Sequence, residues 1–331
     1  MRAILSLSNK ASLSSYPSLQ SSALKEGEIL LKVAWSAVNR ADTLQRTGKY
    51  PPPPGASEVL GLEASGIVTA VAANVTSPAV GDRAMALLSG GGNADYVICQ
   101  ANQTMPVPSG MSLRTAGAIP ETWLTAFQLL FLVANGKSGE SVVIHAAGSG
   151  VGTAAVQLAA SRGLFVIAVA GSDKKLEVAR ALGASALVNY KTSADWAAEV
   201  KSHTPGGKGV DVILDPVGGS FWKSNAEIAN VDARWVLYGS LGGVLIEGPL
   251  FGKLMQKRIQ LLSTTLRSRS NEYKSALVAA FTKEALPLLA SKKVAPVIDR
   301  EFPIEDTNDA HIYMESNENI GKILIKVSGD E

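Results

Sequence analysis

Three glycines, Gly148, Gly150 and Gly152, fall in the stretch HAAGSGVGTAAVQLA (145–159), between an apolar run and an alanine-rich one. A turn of this kind lets backbone approach a pyrophosphate with no side chain in the way, and it aims the free N–H groups of the next helix at that charge. Against the six-position G-x-G-x-x-G pattern, Ala147 takes the first glycine position, Ser149 the second and Gly152 the third, so the strict fingerprint is absent. Position is the stronger signal. The turn follows a strand pattern, opens a helix pattern and starts an alternating unit, which favours a dinucleotide site over a plain strand-to-helix turn.

Which dinucleotide depends on the end of the second strand, where an acidic residue would bind the ribose diol of NAD. Here the strand ends Val169-Ala170-Gly171-Ser172 without an acid, and Lys174 and Lys175 follow. A small hydroxyl-bearing turn next to a lysine point charge suits an extra 2′-phosphate, which a carboxylate would repel. NADP is therefore expected. Asp173 is the dissenting residue, expected to cap a helix that begins at Lys174. For Lys174 a solvated helix face is an equal reading, and for Lys175 a weaker one.

Other reactive residue types are sparse. Cys99 is the single cysteine, and with His145, His203 and His311 scattered it forms no metal-ligand cluster of recognisable spacing. Cys99 reads as a small core residue, His145 as a buried structural histidine, and Trp123, Trp222 and Trp235 as packing. A lone cysteine also fits a reducing compartment, and a cytoplasmic location is expected. The N-terminus is serine-rich and poor in acids, a weak likeness to an organelle transit peptide. It lacks an arginine-rich amphipathic face and opens as a short alternating strand, so mature protein is the favoured reading.

These residues need a scaffold. Hydrophobic residues make up 46% of the chain and charged residues 18%, a globular composition that excludes disorder. The net charge of +2, with both signs interspersed, argues against a nucleic-acid or anionic-lipid surface, and no apolar stretch is long enough to cross a bilayer. From residue 141, short apolar runs (SVVIHA, LFVIAVAG, ALVNY, VDVILD, RWVLYG, IQLLSTTL) alternate with helical patterns (VGTAAVQLAASRG, DKKLEVARALG, SADWAAEVKSH, SFWKSNAEIAN). That is the pattern of an α/β fold with a doubly wound parallel sheet of about six strands. Residues 1 to about 122 carry short strands cut by glycine and by Pro51 to Pro54, which predicts an irregular antiparallel β-barrel. The segment after 269, with one helix over NEYKSALVAAFTKEALPLLASK and strands near APVIDREF and IGKILIKV, is expected to return to that first domain. The domain division is thus 1–122 with 269–331, and 123–268.

The stretches NRADTLQRTGKYPPPPGASEVLGLEASG, IPETWLTAFQLL, AGSGVG, AGSDKK, LDPVGGS, RWVLYGSLGG, LRSR and NIGKI together resemble the quinone oxidoreductase branch of the zinc-free medium-chain dehydrogenase/reductase superfamily. The likeness covers nearly the whole chain and implies a GroES-like domain paired with a Rossmann domain. That family's A-x-x-G-V-G turn matches Ala147, Gly150, Val151 and Gly152, which accounts for the departure from the strict glycine pattern. Zinc members carry a ligand cysteine three residues before an aspartate and a G-H-E motif. Here Asn39 precedes Asp42 and Leu62 replaces the histidine, so no metal is expected. A quinone accepts electrons into a conjugated ring and has less need of a Lewis acid than an alcohol or simple aldehyde.

The resemblance implies roles for particular residues. Asn39 and Asp42 would line the nicotinamide cleft, and Tyr50 would stand at its mouth as a donor or positioning ring; these three are the catalytic candidates. Thr125 would contact the nicotinamide ribose region, and Ser149, Gly150 and Val151 would hold the pyrophosphate. Gly171, Ser172, Lys175 and Tyr190 would form the 2′-phosphate end, while Tyr238, Gly239, Ser240, Leu266 and Asn319 would close around the nicotinamide half. Glu63 fits a structural carboxylate, though the residues alone do not choose a role for it.

The expected activity is zinc-independent reduction of quinones by NADPH, with ortho-quinones suggested by the family. Reduction of α,β-unsaturated carbonyls is the alternative within the enzyme class. An NADPH- or RNA-binding protein with incidental catalysis is the alternative outside it, and the near-neutral charge argues against RNA. The last strand of the parallel sheet, near Ile259 to Leu266, would be an apolar edge that a two-fold mate could cover, so a homodimer is expected.

Overall fold

The fold is that of a computed structural model, described for residues 1–328. In chain order it begins with β1 (Arg2–Leu7), β2 (Lys10–Ser15), β3 (Glu28–Val38), α1 (Arg40–Arg46), β4 (Glu63–Val71), β5 (Arg83–Leu87), β6 (Tyr96–Gln100), β7 (Thr104–Pro106), α2 (Leu113–Ala116) and α3 (Pro120–Phe127). The alternating part follows as β8 (Ser141–His145), α4 (Gly150–Ser161), β9 (Phe165–Ala170), α5 (Asp173–Ala181), β10 (Ala186–Asn189), α6 (Trp196–His203), β11 (Val210–Asp215), α7 (Trp222–Ile228), β12 (Ala229–Leu237), α8 (Leu250–Lys257) and β13 (Gln260–Ser263). The chain closes with α9 (Asn271–Glu284), α10 (Leu286–Ala290), β14 (Ile298–Pro303), α11 (Thr307–Glu315) and β15 (Lys322–Lys326). Two compact units result, Met1–Leu124 with the segment from Leu266 onward, and Thr125–Thr265.

The Thr125–Thr265 unit is a six-stranded sheet in the order β10-β9-β8-β11-β12-β13. Every neighbouring pair is parallel. All five residues of β8 are buried, as are five of six in β9, because helices cover both faces and leave no side for polar alternation. Strand order runs outward in opposite directions from β8 and β11. The crevice at that switch point lies beyond the carboxyl ends of the strands, and the turn after β8 opens there.

The other unit holds a seven-stranded sheet whose path is β14-β15-β3-β4-β5-β7, with β6 also paired to β3. Its pairs are antiparallel except β14 with β15. Ile4, Ile29, Leu31, Val33, Leu60 and Val68, all fully or almost fully buried, form the centre of its core. The opening alternation is a hairpin of β1 and β2, and its two-residue loop places Ser8 and Asn9 at positive φ, the geometry that matches strand twist.

Several local expectations change. The helix expected over 271–292 is two helices, broken at Ala285 because Pro287 has no N–H to continue the ladder. The edge strand is four residues, not eight. Helix α8 has no sequence expectation behind it, although Leu250, Phe251, Leu254 and Met255 recur at helical spacing: Leu250 is buried and Leu254 packs on the core beside it, while Phe251 and Met255 are 79% and 80% exposed. Helix α5 begins at Asp173 rather than Lys174. Ser172 is the cap, its hydroxyl oxygen accepting from the Lys175 N–H, while Asp173 accepts from Asn189.

Candidate functional site

In the Thr125–Thr265 unit the chain leaves β8 through Ala146, held at φ 50°, and enters α4 at Gly150. Ser149 caps the helix, its Oγ accepting from the Gly152 N–H at 3.0 Å. Gly150 and Val151 form the first turn, whose N–H groups have no carbonyl within the helix to meet. Gly152 is obligatory for packing, since a Cβ there would lie 2.3 Å from the Ala146 carbonyl oxygen. A Cβ at Gly148 would meet Lys175 Cγ at 2.8 Å, so the Lys175 stem lies across the turn.

A second group gathers at the ends of β9 and β10. A Cβ on Gly171 would fall 2.8 Å from Tyr190 Oη and 3.1 Å from Lys191 Cε. Gly171, Ser172, Lys175, Tyr190 and Lys191 thus form a hydroxyl- and ammonium-bearing rim next to the glycine turn, with the Tyr190 ring fixed edge-on against Phe221. The capping bond uses Ser172 Oγ as an acceptor, which leaves its O–H to donate. Lys174 is exposed, as a solvated face would be.

After β12, Tyr238 donates its N–H to the Asp215 carbonyl, and Gly239 approaches Pro216 so closely that a Cβ would sit 2.8 Å from its oxygen. Ser240 is exposed beside them. The Tyr238 hydroxyl is buried without a partner, and burial, then the nearby Asp215, hold it in the protonated form. Asp215 anchors this end by accepting from Val217 N–H, Gly218 N–H, Asn225 Nδ2 and Trp235 Nε1. His145 is fully buried with its Nε2 2.7 Å from Asn225 Oδ1, a structural histidine. Thr125 is half-buried in α3.

The unit built on the antiparallel sheet gathers a different set. Asp42 is fully buried, and its carboxylate accepts the N–H groups of Asn39 (2.8 Å) and Gly61 (3.0 Å). Burial raises its pKa to about 6 against the pull of those two bonds. Both oxygens are thereby committed to backbone. Asn39 donates Nδ2 to Glu63 Oε1 at 2.8 Å and accepts from Lys322 Nζ at 2.8 Å. Lys322 Nζ and Glu63 Oε1 are 2.7 Å apart, 3% and 0% exposed. The other Glu63 oxygen accepts the Glu121 N–H. Glu63, left open by the sequence, is the acidic half of a buried ion pair.

Glu121 has one carboxyl oxygen buried without a partner, and burial, then the Glu63 charge, push its pKa up to about 8. Tyr50 is half-buried, with the Arg267 guanidinium carbon 5.6 Å from its ring centre. Leu266 and Asn319 are buried, and the Asn319 amide donates to the Gly321 carbonyl. Cys99 is 8% exposed with its thiol pushed up to about 12 by burial, so it stays protonated and unreactive.

Sequence reasoning missed Lys191, Glu121 and Lys322. Lys191 adjoins Tyr190, and the other two fall in IPETWLTAF and NIGKI, where a lone charge has no partner within reach of any spacing rule. Zinc does not suit the donors at the two altered positions. Asn39 offers an amide already bonded to an ammonium and a carboxylate, Leu62 is a buried aliphatic, and Glu63 is neutralised by Lys322. Among the described residues no three His, Cys, Asp or Glu side chains are grouped to hold a metal, and no helix is long and apolar enough to cross a membrane.

Residues 25–109 match the alcohol dehydrogenase GroES-like domain, and residues 150–283 match the zinc-binding dehydrogenase family. The chain belongs to the medium-chain dehydrogenase/reductase superfamily. It is 31% identical to the synaptic vesicle membrane protein VAT-1 homolog of Rattus norvegicus over 92% of this chain and 78% of that one. The corresponding Danio rerio protein is 30% identical over 92% of this chain, which spans only 65% of that protein's length. A Rattus norvegicus quinone oxidoreductase is 29% identical over 90% and 88% of the two chains. Among solved structures, an NAD-dependent alcohol dehydrogenase superposes with a TM-score of 0.85 at 29% identity over 99% and 100% of the chains. The Escherichia coli quinone oxidoreductase complexed with NADPH gives 0.85 at 26% identity over 98% and 99%. The CurK enoyl reductase gives 0.84 at 26% over the same shares.

Proposed function

We propose that the protein is a zinc-independent oxidoreductase that reduces quinones with NADPH, ortho-quinones among them. The observation that carries the cofactor is the rim of Gly171, Ser172, Lys175, Tyr190 and Lys191, which offers hydroxyl donors and ammonium charges while Asp173 is turned to Asn189. Those donors fit a 2′-phosphate, the α4 N-terminus fits a pyrophosphate, and the unpartnered Tyr238 hydroxyl marks a polar place beside Gly239 for the far half of the nucleotide. NADPH, when bound, supplies the hydride. The likeness to the E. coli enzyme named with NADPH supports this choice, against an NAD-dependent neighbour of similar TM-score.

On the acceptor side, Tyr50 is proposed to shape or donate to the binding site, and Asn39 to present its amide with Lys322 and Glu63 fixing the orientation. Asp42 is proposed to act through Asn39 and Gly61, because both its oxygens are bonded to their backbone. Thr125, Leu266 and Asn319 keep their proposed places around the nicotinamide. Reduction of α,β-unsaturated carbonyls is the second reading, favoured by the likeness to an enoyl reductase. A homodimer through the exposed edge of β13 completes the proposal, with Leu261 there 44% exposed.

The test follows NADPH absorbance with a panel of quinones, enones and simple aldehydes, and measures NADPH and NADH dissociation constants. Quinone turnover that survives exhaustive chelation, with at least about tenfold tighter binding of NADPH, is the expected result. Equal affinities would overturn the cofactor assignment. Turnover of enones alone would replace the first reading with the second.

A further inference from the structure

We propose that the unit containing Tyr50 carries a recognition site for the anionic group, carboxylate or phosphate, of a small organic molecule, built on Arg267 and Lys274. Both belong to this unit, Arg267 in the LRSR stretch and Lys274 one turn into α9. They line a cavity of about 640 Å³, a size suited to a small ligand. Arg269, Ser57, Ser89 and Pro54 line it with them.

The two cations are buried and uncompensated. Each residue is 3% exposed. Arg267 donates Nε to the Ser89 carbonyl at 2.9 Å and Nη2 to Gln45 Oε1 at 2.6 Å, while its Nη1 is buried with no partner. Lys274 Nζ donates to Ser89 Oγ at 2.7 Å. All these partners are neutral, and among the described residues no carboxylate lies within ion-pair distance of either cation. Glu28 is the one acid lining the cavity, and it is occupied with the Lys25 N–H and the Gln100 amide. Buried charges are ordinarily paired, since an unpaired one costs several kcal/mol.

The nearest help is inadequate. Asp42 and Glu121 attract Arg267, and Glu121 attracts Lys274, all at longer range. Asp42 is bonded to backbone, and Glu121 holds its proton at neutral pH, so neither cancels two charges. Burial lowers the pKa of both Arg267 and Lys274, as an unfilled anion site would. An arginine fork, an ammonium and the Ser89 hydroxyl together match the oxygens of a carboxylate or phosphate. This assignment does not depend on which acceptor the protein reduces.

The experiment titrates the intact protein by calorimetry and thermal unfolding with benzoate, its uncharged isostere benzamide, and inorganic phosphate, at matched ionic strength. Wild type should bind at least one of the two anions at millimolar concentration and rise in Tm, with benzamide inert; whichever anion binds identifies the group. Lys274→Met and Arg267→Met should each weaken that binding by about tenfold or more, while Arg267→Lys retains much of it. Without anion, Lys274→Met should unfold at or above the wild-type Tm, because it removes an unpaired buried charge. Should Lys274→Met prove unstable, the Arg267 pair still decides the matter. The proposal is overturned if wild type binds neither anion, if benzamide matches benzoate, or if the methionine variants bind as wild type does.

Discussion

Replacing Glu121 with glutamine should change how stability depends on pH, and the size of the change follows from the surroundings of its carboxyl. Burial first, and the Glu63 charge second, raise this group from an ordinary value of 4.5 to about 8, with Lys322 and Lys274 pulling the other way. The folded protein therefore holds a proton that the unfolded chain releases above about 4.5. Stability from this group is complete below 4.5 and is lost as pH rises through 8, at about 1.4 kcal/mol per pH unit. By pH 7 the loss is about 3 kcal/mol. Glutamine stands in for the protonated acid and does not titrate, so Glu121→Gln should equal wild type to within about 1 kcal/mol near pH 4 and exceed it by about 3 kcal/mol at pH 7. Asp42, pushed up to about 6, titrates with the same sign in both proteins and largely cancels in the difference. Urea unfolding at half-unit steps from pH 4 to 8.5 measures it. Parallel profiles for the two proteins would refute the reasoning, since they would mean that Glu121 ionises alike folded and unfolded.

Lys322→Met should lose about 3–5 kcal/mol of unfolding free energy because it strands Glu63 in a buried site, and Lys322→Met with Glu63→Gln should recover much of that; a single-variant loss under about 1 kcal/mol in urea would count against it. Tyr50→Phe should leave kcat and NADPH affinity nearly unchanged if the ring, held against Arg267, only shapes the site, with Tyr50→Ala chiefly raising KM. A loss of about 10²-fold in kcat for Tyr50→Phe would instead make Tyr50 the donor to the acceptor oxygen. Light scattering should give twice the 34.5 kDa chain mass, and a charged residue at Leu261 on the β13 edge should shift it toward one chain; a wild-type mass near 34.5 kDa would end the dimer proposal.

The parallel sheet was legible because buried strands such as β8 and β9 need continuous apolar residues, and because the glycine turn follows one of them and opens α4. Helix α8 is only eight residues with two of its four apolar side chains exposed, a weak signal between glycine-rich turns, whereas the break at Ala285 was legible, because Pro287 inside the helical run is itself a stop signal. The Ser172 cap was misassigned to Asp173 because either residue type can accept the first-turn N–H, and only the backbone decides which stands at the cap.

What the order of residues determined by itself was local: strand and helix periods, the absence of an acid at the end of β9, and the replacement of two zinc-ligand positions by Asn39 and Leu62. Tertiary structure decided the charge states and partners. Lys322 lies 259 residues from Glu63, and Lys274 lies 185 from Ser89, so no spacing rule could pair them. Whether a carboxyl such as Glu121 is ionised depends on the water it loses and the charges it meets, and both are set by chain segments distant in sequence that packing brings together.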